Sequence, residues 1–209
     1  MTFKEFFYKD IKKFCEQYAS KEYEVYFETP LYTGSYGGSI NNPAFNKIRV
    51  DSVLENDSFL EKINIEGLEL NVYLGEDKKG LKEYNFLDIS NTFLTCFAYM
   101  KETNDGGLES NSIWNAYETK GLYFNLFFSY FLPKTKYIQS SDNNSKEASA
   151  FWLKAVEKGI KNNLKCSIID LNTKNEFFIK EQSYLKNNFD KIWGNDLHHL
   201  RIRIYNYEK

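Results

Sequence analysis

The run Thr92–Met100 constrains this chain more than any other segment. It is nearly continuous in apolar residues and is closed by Lys101–Ser110, where Asn104-Asp105-Gly106-Gly107 marks a turn. Continuity of this kind reads as a strand buried on both faces, at the centre of a sheet. The order of elements after it supplies cover for such a sheet. Ser112–Tyr117 reads as a strand, Gly121–Leu132 as a helix closed by Pro133, Lys136–Ser141 as a strand and Ser145–Ile160 as a helix. Lys165–Leu171 and Glu176–Lys180 then read as strands joined by the turn Asn172-Thr173-Lys174-Asn175, with a short helical stretch near Ser183–Asp190 and a last strand at His199–Tyr207. Strands alternating with helices predict an α/β or α+β sheet with helices packed on its faces.

Upstream, Thr2 and Glu5 stand at capping-box spacing ahead of Phe3, Phe7, Ile11, Phe14 and Tyr18, which predicts an amphipathic helix. Tyr23–Glu28 reads as a short strand. The glycine-rich stretch Thr33–Ser39 follows, without the Lys-Ser/Thr of a P-loop or the spacing of a dinucleotide fingerprint, so it reads as a surface loop. Lys47–Leu54 and Leu68–Leu74 read as further strands, and the role of residues 29–91 stays open. No repeat, low-complexity tract or linker divides the chain, which predicts one domain over residues 1–209.

Composition narrows the class of function. Basic and acidic residues number 27 and 29, and the only arginines are Arg49, Arg201 and Arg203. Arginine is the preferred residue for bidentate phosphate and guanine contacts, so specific nucleic-acid reading is not expected. No apolar run reaches the length of a membrane span, and the charged N-terminus predicts no signal peptide, which together predict a cytoplasmic protein. Cys15, Cys96 and Cys166 are odd in number and widely spaced, so they predict buried reduced thiols rather than disulfides or a zinc site. Asp196, His198 and His199 are close in sequence, but adjacent strand residues point to opposite faces, and no metal site is expected.

Several residues of the second half also carry a resemblance. Ile113-Trp114-Asn115, Lys120-Gly121-Leu122, Leu126 and Tyr130-Phe131-Leu132-Pro133 begin it; Ser141-Asp142, Ala148, Phe151-Trp152, Trp193-Gly194-Asn195-Asp196 and Arg201–Tyr205 continue it. With the order strand, turn, helix, strand, helix, two strands, the stretch Ser112–Tyr207 resembles the second half of the GNAT superfamily of acyl-CoA N-acyltransferases, which implies a GNAT-like α/β (α+β) domain: a mixed, mostly antiparallel sheet with helices on both faces. It looks most like the uncharacterised GNAT-like proteins of phages and mobile elements. The match covers somewhat under half the chain and contains no single diagnostic motif.

The resemblance implies acetyl-CoA as cofactor and an amine of a small molecule or protein as acceptor. It implies that the pantetheine arm is held by the backbone of Ser112–Asn115, with Trp114 and Asn115 beside it. The pyrophosphate is expected at the turn Ala116–Gly121, through Thr119, Lys120, Gly121 and Leu122, because backbone N–H groups at a helix start favour anions. Here this sequence departs from the family's Arg/Gln-x-x-Gly-x-Gly/Ala turn: Ala116 replaces the Arg/Gln, Thr119 replaces the first glycine, and Glu118 adds a negative charge that Lys120 partly offsets. In the next helix Ser145 stands where the family often has asparagine. Trp152 stands where a tyrosine usually protonates the leaving thiolate, and an indole N–H cannot act as an acid near neutral pH. Among the nearby carboxylates Glu102, Glu109 and Glu118, the base is assigned to Glu109 or Glu118.

Two functions are consistent with these departures. One is an N-acyltransferase whose thiolate leaves without tyrosine assistance. The other is a catalytically inactive GNAT-like binding protein that inhibits or redirects a host protein, such as a defence factor. Lys154, Lys158, Lys161 and Lys165 are spaced by four, three and four, so that the first three share one helix face, which reads as solvated; the sharper alternative is a docking stripe for an acidic partner or a phosphate backbone. The acceptor and the oligomeric state are not legible.

Overall fold

The computed structural model describes residues 43–77, 80–116, 119, 121–141, 146–187 and 199–206. The N-terminal helix expected from Thr2, the strand at Tyr23 and the glycine-rich loop lie outside these residues, as do Asp196 and His198.

The described chain folds as α+β around one nine-stranded open sheet. Helix α1 (Pro43–Asn56) is followed by strands β1 (Ser58–Ile65), β2 (Leu68–Glu76), β3 (Lys82–Asp88), β4 (Leu94–Glu102) and β5 (Leu108–Asn115). A helical segment, α2 (Leu122–Leu126), widens into a π-turn at Phe127–Phe131 and tightens into a 3-10 turn at Leu132–Lys134. Then come β6 (Tyr137–Ser140), α3 (Lys146–Lys161), β7 (Cys166–Asp170), β8 (Glu176–Phe178), α4 (Gln182–Asn187) and β9 (Leu200–Tyr205). The strand order is β1-β2-β3-β4-β5-β6-β9-β7-β8. Only β5 and β6 run parallel; every other neighbouring pair is antiparallel. Among the described residues no helix is long and apolar enough to cross a membrane.

β4 is the strand that Thr92–Met100 predicts, with Leu94–Met100 buried throughout. Its side chains alternate between two cores. Cys96, Ala98 and Met100 face the larger one, with Phe86, Leu70, Tyr123, Phe127, Trp152, Val156, Ile202 and Ile204 beneath α2 and α3. Leu94, Phe97 and Tyr99 face the smaller one, with Leu87, Trp114, Val50 and Val53 beneath α1. Helices therefore cover both faces. The larger core is stitched by edge-to-face aromatic pairs such as Phe86–Tyr130 at 5.5 Å and Phe127–Trp152 at 5.6 Å. Cys96 and Cys166 are buried free thiols, and burial pushes the Cys166 thiol up to about 12.

Lys47–Leu54 is a correction: it belongs to α1, not to a strand. Ile48, Val50 and Leu54 mimic strand alternation, but the residues that meet the sheet are Asn46, Val50 and Val53, at helical spacing. Asn46 decides the docking. Its Nδ2 donates to the Leu94 carbonyl and its Oδ1 accepts from the Leu94 N–H, both at 2.9 Å, so one side chain completes the backbone pairing at the start of β4. β1 and β3 have no counterpart among the strands expected from the sequence. The two-residue turn Glu66-Gly67, with φ of 52° and 88°, joins β1 to β2 in the twisted geometry that suits hairpins.

The lysines of α3 do not form one free stripe. Lys161 pairs with Glu157, Lys158 lies 4.7 Å over the Phe128 ring, and Lys165, just beyond the helix, lies 4.2 Å over Phe178.

Replacing Asn46 with Ala removes both partners of a buried peptide group at Leu94. The expected cost is about 2–3 kcal/mol, seen in urea titration as a lower midpoint with an unchanged slope.

Candidate functional site

Two parallel strands held together at one end and parted at the other leave peptide groups without strand partners. β5 and β6 pair only through Leu108–Ile138, Glu109–Gln139 and Ser110–Ser140. β6 then ends, whereas β5 runs on to Asn115 against β4 alone. At the parting point Met100 faces Ser110 and Tyr99 faces Ser112, which leaves Asn111 as an extra, bulged residue. A bulge re-aims the backbone and is enriched beside active sites. The other edge of Asn111–Asn115 thus has no strand partner among the described residues, and its N–H and C=O groups line a fork.

The two faces of the fork differ in chemistry. On the side of the larger core, the Ser110 hydroxyl lies 3.0 Å from the Tyr123 hydroxyl, both buried, and Ile113 is 37% exposed. Burial raises the Tyr123 phenol well above its usual range, so it stays protonated. On the opposite side lies a polar set. Glu109 accepts from Gln139 Nε2 at 2.8 Å and sits 3.5 Å from Arg201 Nε; Gln139 accepts from Arg203 Nε at 2.9 Å. Both arginines are buried, and Arg203 also stacks 4.1 Å from the Tyr137 ring centre.

Of the residues singled out in the sequence, Glu109 stands at the base of the fork, and Trp114 and Asn115 stand on its unpaired strand. The Trp114 side chain, however, is stacked on Phe97 at 5.7 Å in the smaller core. Asn115 Oδ1 accepts the Tyr123 N–H at 2.9 Å and so starts α2. Thr119 is turned inward: its hydroxyl donates to the Thr95 carbonyl at 2.8 Å and its N–H to the Ala116 carbonyl at 3.1 Å. Gly121, with φ 92°, adopts the left-handed conformation at the helix entry, and Leu122 is buried. Trp152 is buried against Phe127 and Phe151 rather than presented at the fork. Glu118, Lys120 and Ser145 lie outside the described residues. Glu102 pairs with Lys82 at 2.5 Å on an exposed flank.

A second polar group lies on the same face of the sheet. Gly75, Glu83, Tyr99 and Ser112 are partners in one row across β2, β3, β4 and β5, so the row ends inside the fork. Arg49 of α1 pairs with Glu83 and hydrogen-bonds Tyr99. The fully buried Asn85 donates to Asp57 Oδ2 at 2.8 Å and to Glu83 Oε1 at 3.0 Å. A Cβ at Gly75 would stand 2.5 Å from Asp57 Oδ1, so a glycine is what lets this carboxylate approach the sheet. The sequence carried one signal for this group: charged and amide residues inside the strand Lys82–Asp88, where an interior strand is normally apolar.

Fold and site together define an α+β protein whose mixed open sheet carries a strand fork with one apolar and one polar flank. No protein-family profile, curated protein or solved structure matches the chain.

Burial raises the Asp57 carboxyl above its ordinary value of 3.8, and Arg49 and Asn85 pull it only part of the way back. The folded state thus holds this proton more tightly than the unfolded chain. Its ionisation weakens folding as pH rises from 3.8 through the raised value. Asp57→Asn removes that loss, so the variant should gain stability relative to the parent across this window, as read from urea midpoints at a series of pH values.

Proposed function

We propose that the protein is a GNAT-like N-acyltransferase that binds an acyl-CoA in the β5–β6 fork and transfers its acyl group to an amine. The observation that carries this reading is the parting of the parallel pair after Ser110 and Ser140, with the bulge at Asn111. An unpaired strand edge inside a fold suits an extended ligand with its own amide groups, as pantetheine has, because strand addition satisfies both sides. The strand order β5-β6-β9-β7 and the crossovers through α2 and α3 agree with the resemblance.

The acyl-CoA supplies an activated thioester when bound. The chain's part is to hold it along Asn111–Asn115 and to aim a β5 N–H at the thioester carbonyl oxygen, where charge develops. Glu109, oriented by Gln139 and Arg201, is the base assigned within the described residues, acting directly or through an ordered water. The proton passes from the amine to this carboxylate, the new C–N bond forms, and the C–S bond breaks to release the thiolate. Trp152 takes no part, being packed in the core.

A second reading rests on the helix entry. Asn115 already occupies the Tyr123 N–H, and Thr119 spends its N–H and hydroxyl on Ala116 and Thr95. Donors that would cradle a pyrophosphate are thereby engaged internally. This favours a GNAT-like fold retained for binding a host protein, with no transfer chemistry.

Calorimetric titration with acetyl-CoA and free CoA separates the two. The acyltransferase reading expects a micromolar Kd, about −8 kcal/mol. Silence up to millimolar ligand would overturn it and direct the search to a protein partner by pull-down.

A further inference from the structure

The sheet ends on two edges, β1 and β8, and they are finished differently. A free edge presents unpaired N–H and C=O groups, which natural sheets blunt with charges or bulges. β1 is blunted: its register breaks between Phe59 and Glu61, Lys62 follows, and Glu61 is paired to Lys134. β8 is not. It runs in regular register against β7, with Glu176, Phe177 and Phe178 opposite Ile169, Ile168 and Ser167. The Ile179 N–H carries the ladder on to the Cys166 carbonyl at 2.8 Å. Successive residues of a strand turn their peptide groups to opposite edges. Since Ile179 and Phe177 face β7, Glu176 and Phe178 present their N–H and C=O groups outward, where no described strand meets them. Phe177 and Phe178 are 57% and 52% exposed, on opposite faces of the strand. Beside the Phe178 ring, Lys180, Ser183, Tyr184 and Asn187 line a cavity of about 400 Å³.

We propose that β8 is a dimer interface, which pairs antiparallel with β8 of a second copy of this chain about a two-fold axis at Phe178. The edge sequence Glu176-Phe177-Phe178-Ile179-Lys180 selects this occupant. Outward peptide groups pair only with outward ones, so a two-fold axis here falls at residue 177, 178 or 179. An axis at 177 sets Glu176 against the partner's Phe178, and an axis at 179 sets Phe178 against the partner's Lys180. Only an axis at 178 sets Glu176 against the partner's Lys180, twice by symmetry, and Phe177 against the partner's Ile179. The two Phe178 residues then exchange both peptide hydrogen bonds, and their rings meet on one face beside the cavity. Opposite charges and apolar pairs directly across a strand pair both stabilise it. The groups are available: Lys180 is exposed without an ion pair among the described residues, and Ser167 and Tyr205 engage only Oε1 of Glu176. β9 and β7 separate this edge from the fork, so the pairing does not depend on the acyl-transfer reading.

The test is light scattering after gel filtration of the full chain, from micromolar to millimolar concentration, where monomer should give way to dimer. Over the same range the Glu176 and Phe178 amides should exchange with deuterium more slowly, while those of β1 keep their rates. Phe178→Pro removes the outward N–H and the ring at a position where an edge strand tolerates proline. Lys180→Glu sets like charges across the axis. Each should weaken dimerisation roughly tenfold or more, and Phe59→Asp on the other edge should leave it unchanged. A chain that stays monomeric at millimolar concentration would overturn the proposal. So would a dimer that Phe59→Asp breaks, or one whose exchange protection falls outside β8. Because the exchange measurement uses the unaltered chain, it decides the question even where a variant fails to fold. Failure of acetyl-CoA to bind would leave these results unaffected.

Discussion

Everything in this fold hangs on β4 being buried from both sides. A strand whose consecutive residues Leu94 to Met100 are all removed from water needs cover on two faces, and the rest of the chain is arranged to provide it. α2 and α3 bring an aromatic layer to one face, and α1 brings Val50 and Val53 to the other. Burying so much apolar area, at about 25 cal/mol per Å², offsets the cost of ordering a long sheet. It also imposes a condition, because the peptide groups at the ends of β4 can no longer turn to water. Asn46 meets it at Leu94, and Ala116, donating to Thr95, meets it one residue later. Helix docking and strand completion are therefore one event.

The two faces are not equivalent. The α2/α3 face is apolar from β2 to β7, and its polar contacts are few, such as Ser110 with Tyr123. The α1 face is apolar only where α1 covers it. Beyond that cover it becomes a band of buried or half-buried polar groups running from Asp57, Glu83 and Asn85 through Tyr99 to Glu109, Gln139, Arg201 and Arg203. Buried charge is tolerated when it is paired or hydrogen-bonded, and the band obeys this rule: Arg49 pairs with Glu83, Arg201 lies beside Glu109, and Arg203 donates to the neutral amide of Gln139. A core built for stability alone has no need of such a band, since apolar residues of similar volume would do as well or better. Through Tyr99 the band reaches Ser112, at the opening of the fork.

The legibility of these features in the sequence follows the same division. β4, β6, α3, β7 and β9 could be read because an apolar period survives in each. α3 shows it well: Trp152, Ala155 and Val156 are buried, while Lys154 is exposed. α1 was misread because Ile48, Val50 and Leu54 happen to alternate, while the anchoring residue Asn46 is polar and invisible to any count of hydrophobic residues. β1 was missed because its edge position leaves Phe59 and Leu60 exposed beside charged neighbours, and its hairpin turn is Glu-Gly rather than the usual Asn-Gly or Asp-Gly. β3 was missed for a more telling reason. Glu83 and Asn85 interrupt its apolar pattern, and they are the residues that build the cluster beside Arg49. Local rules fail most often where a sequence is shaped by something other than folding.

The fork was half legible. Ser112–Asn115 could be marked as strand, but whether that strand has a partner on its second edge is a property of the sheet. It depends on β6 stopping at Ser140 and on the bulge at Asn111, and neither leaves a trace in residue type. Side chains singled out for a cofactor role proved to answer first to the core: Trp114 stacks on Phe97, and Trp152 fills space between Phe127 and Phe151. A site that works through backbone edges leaves its side chains free to serve packing. Strand geometry, held by β4 from behind, is accordingly the feature on which any ligand at this site depends.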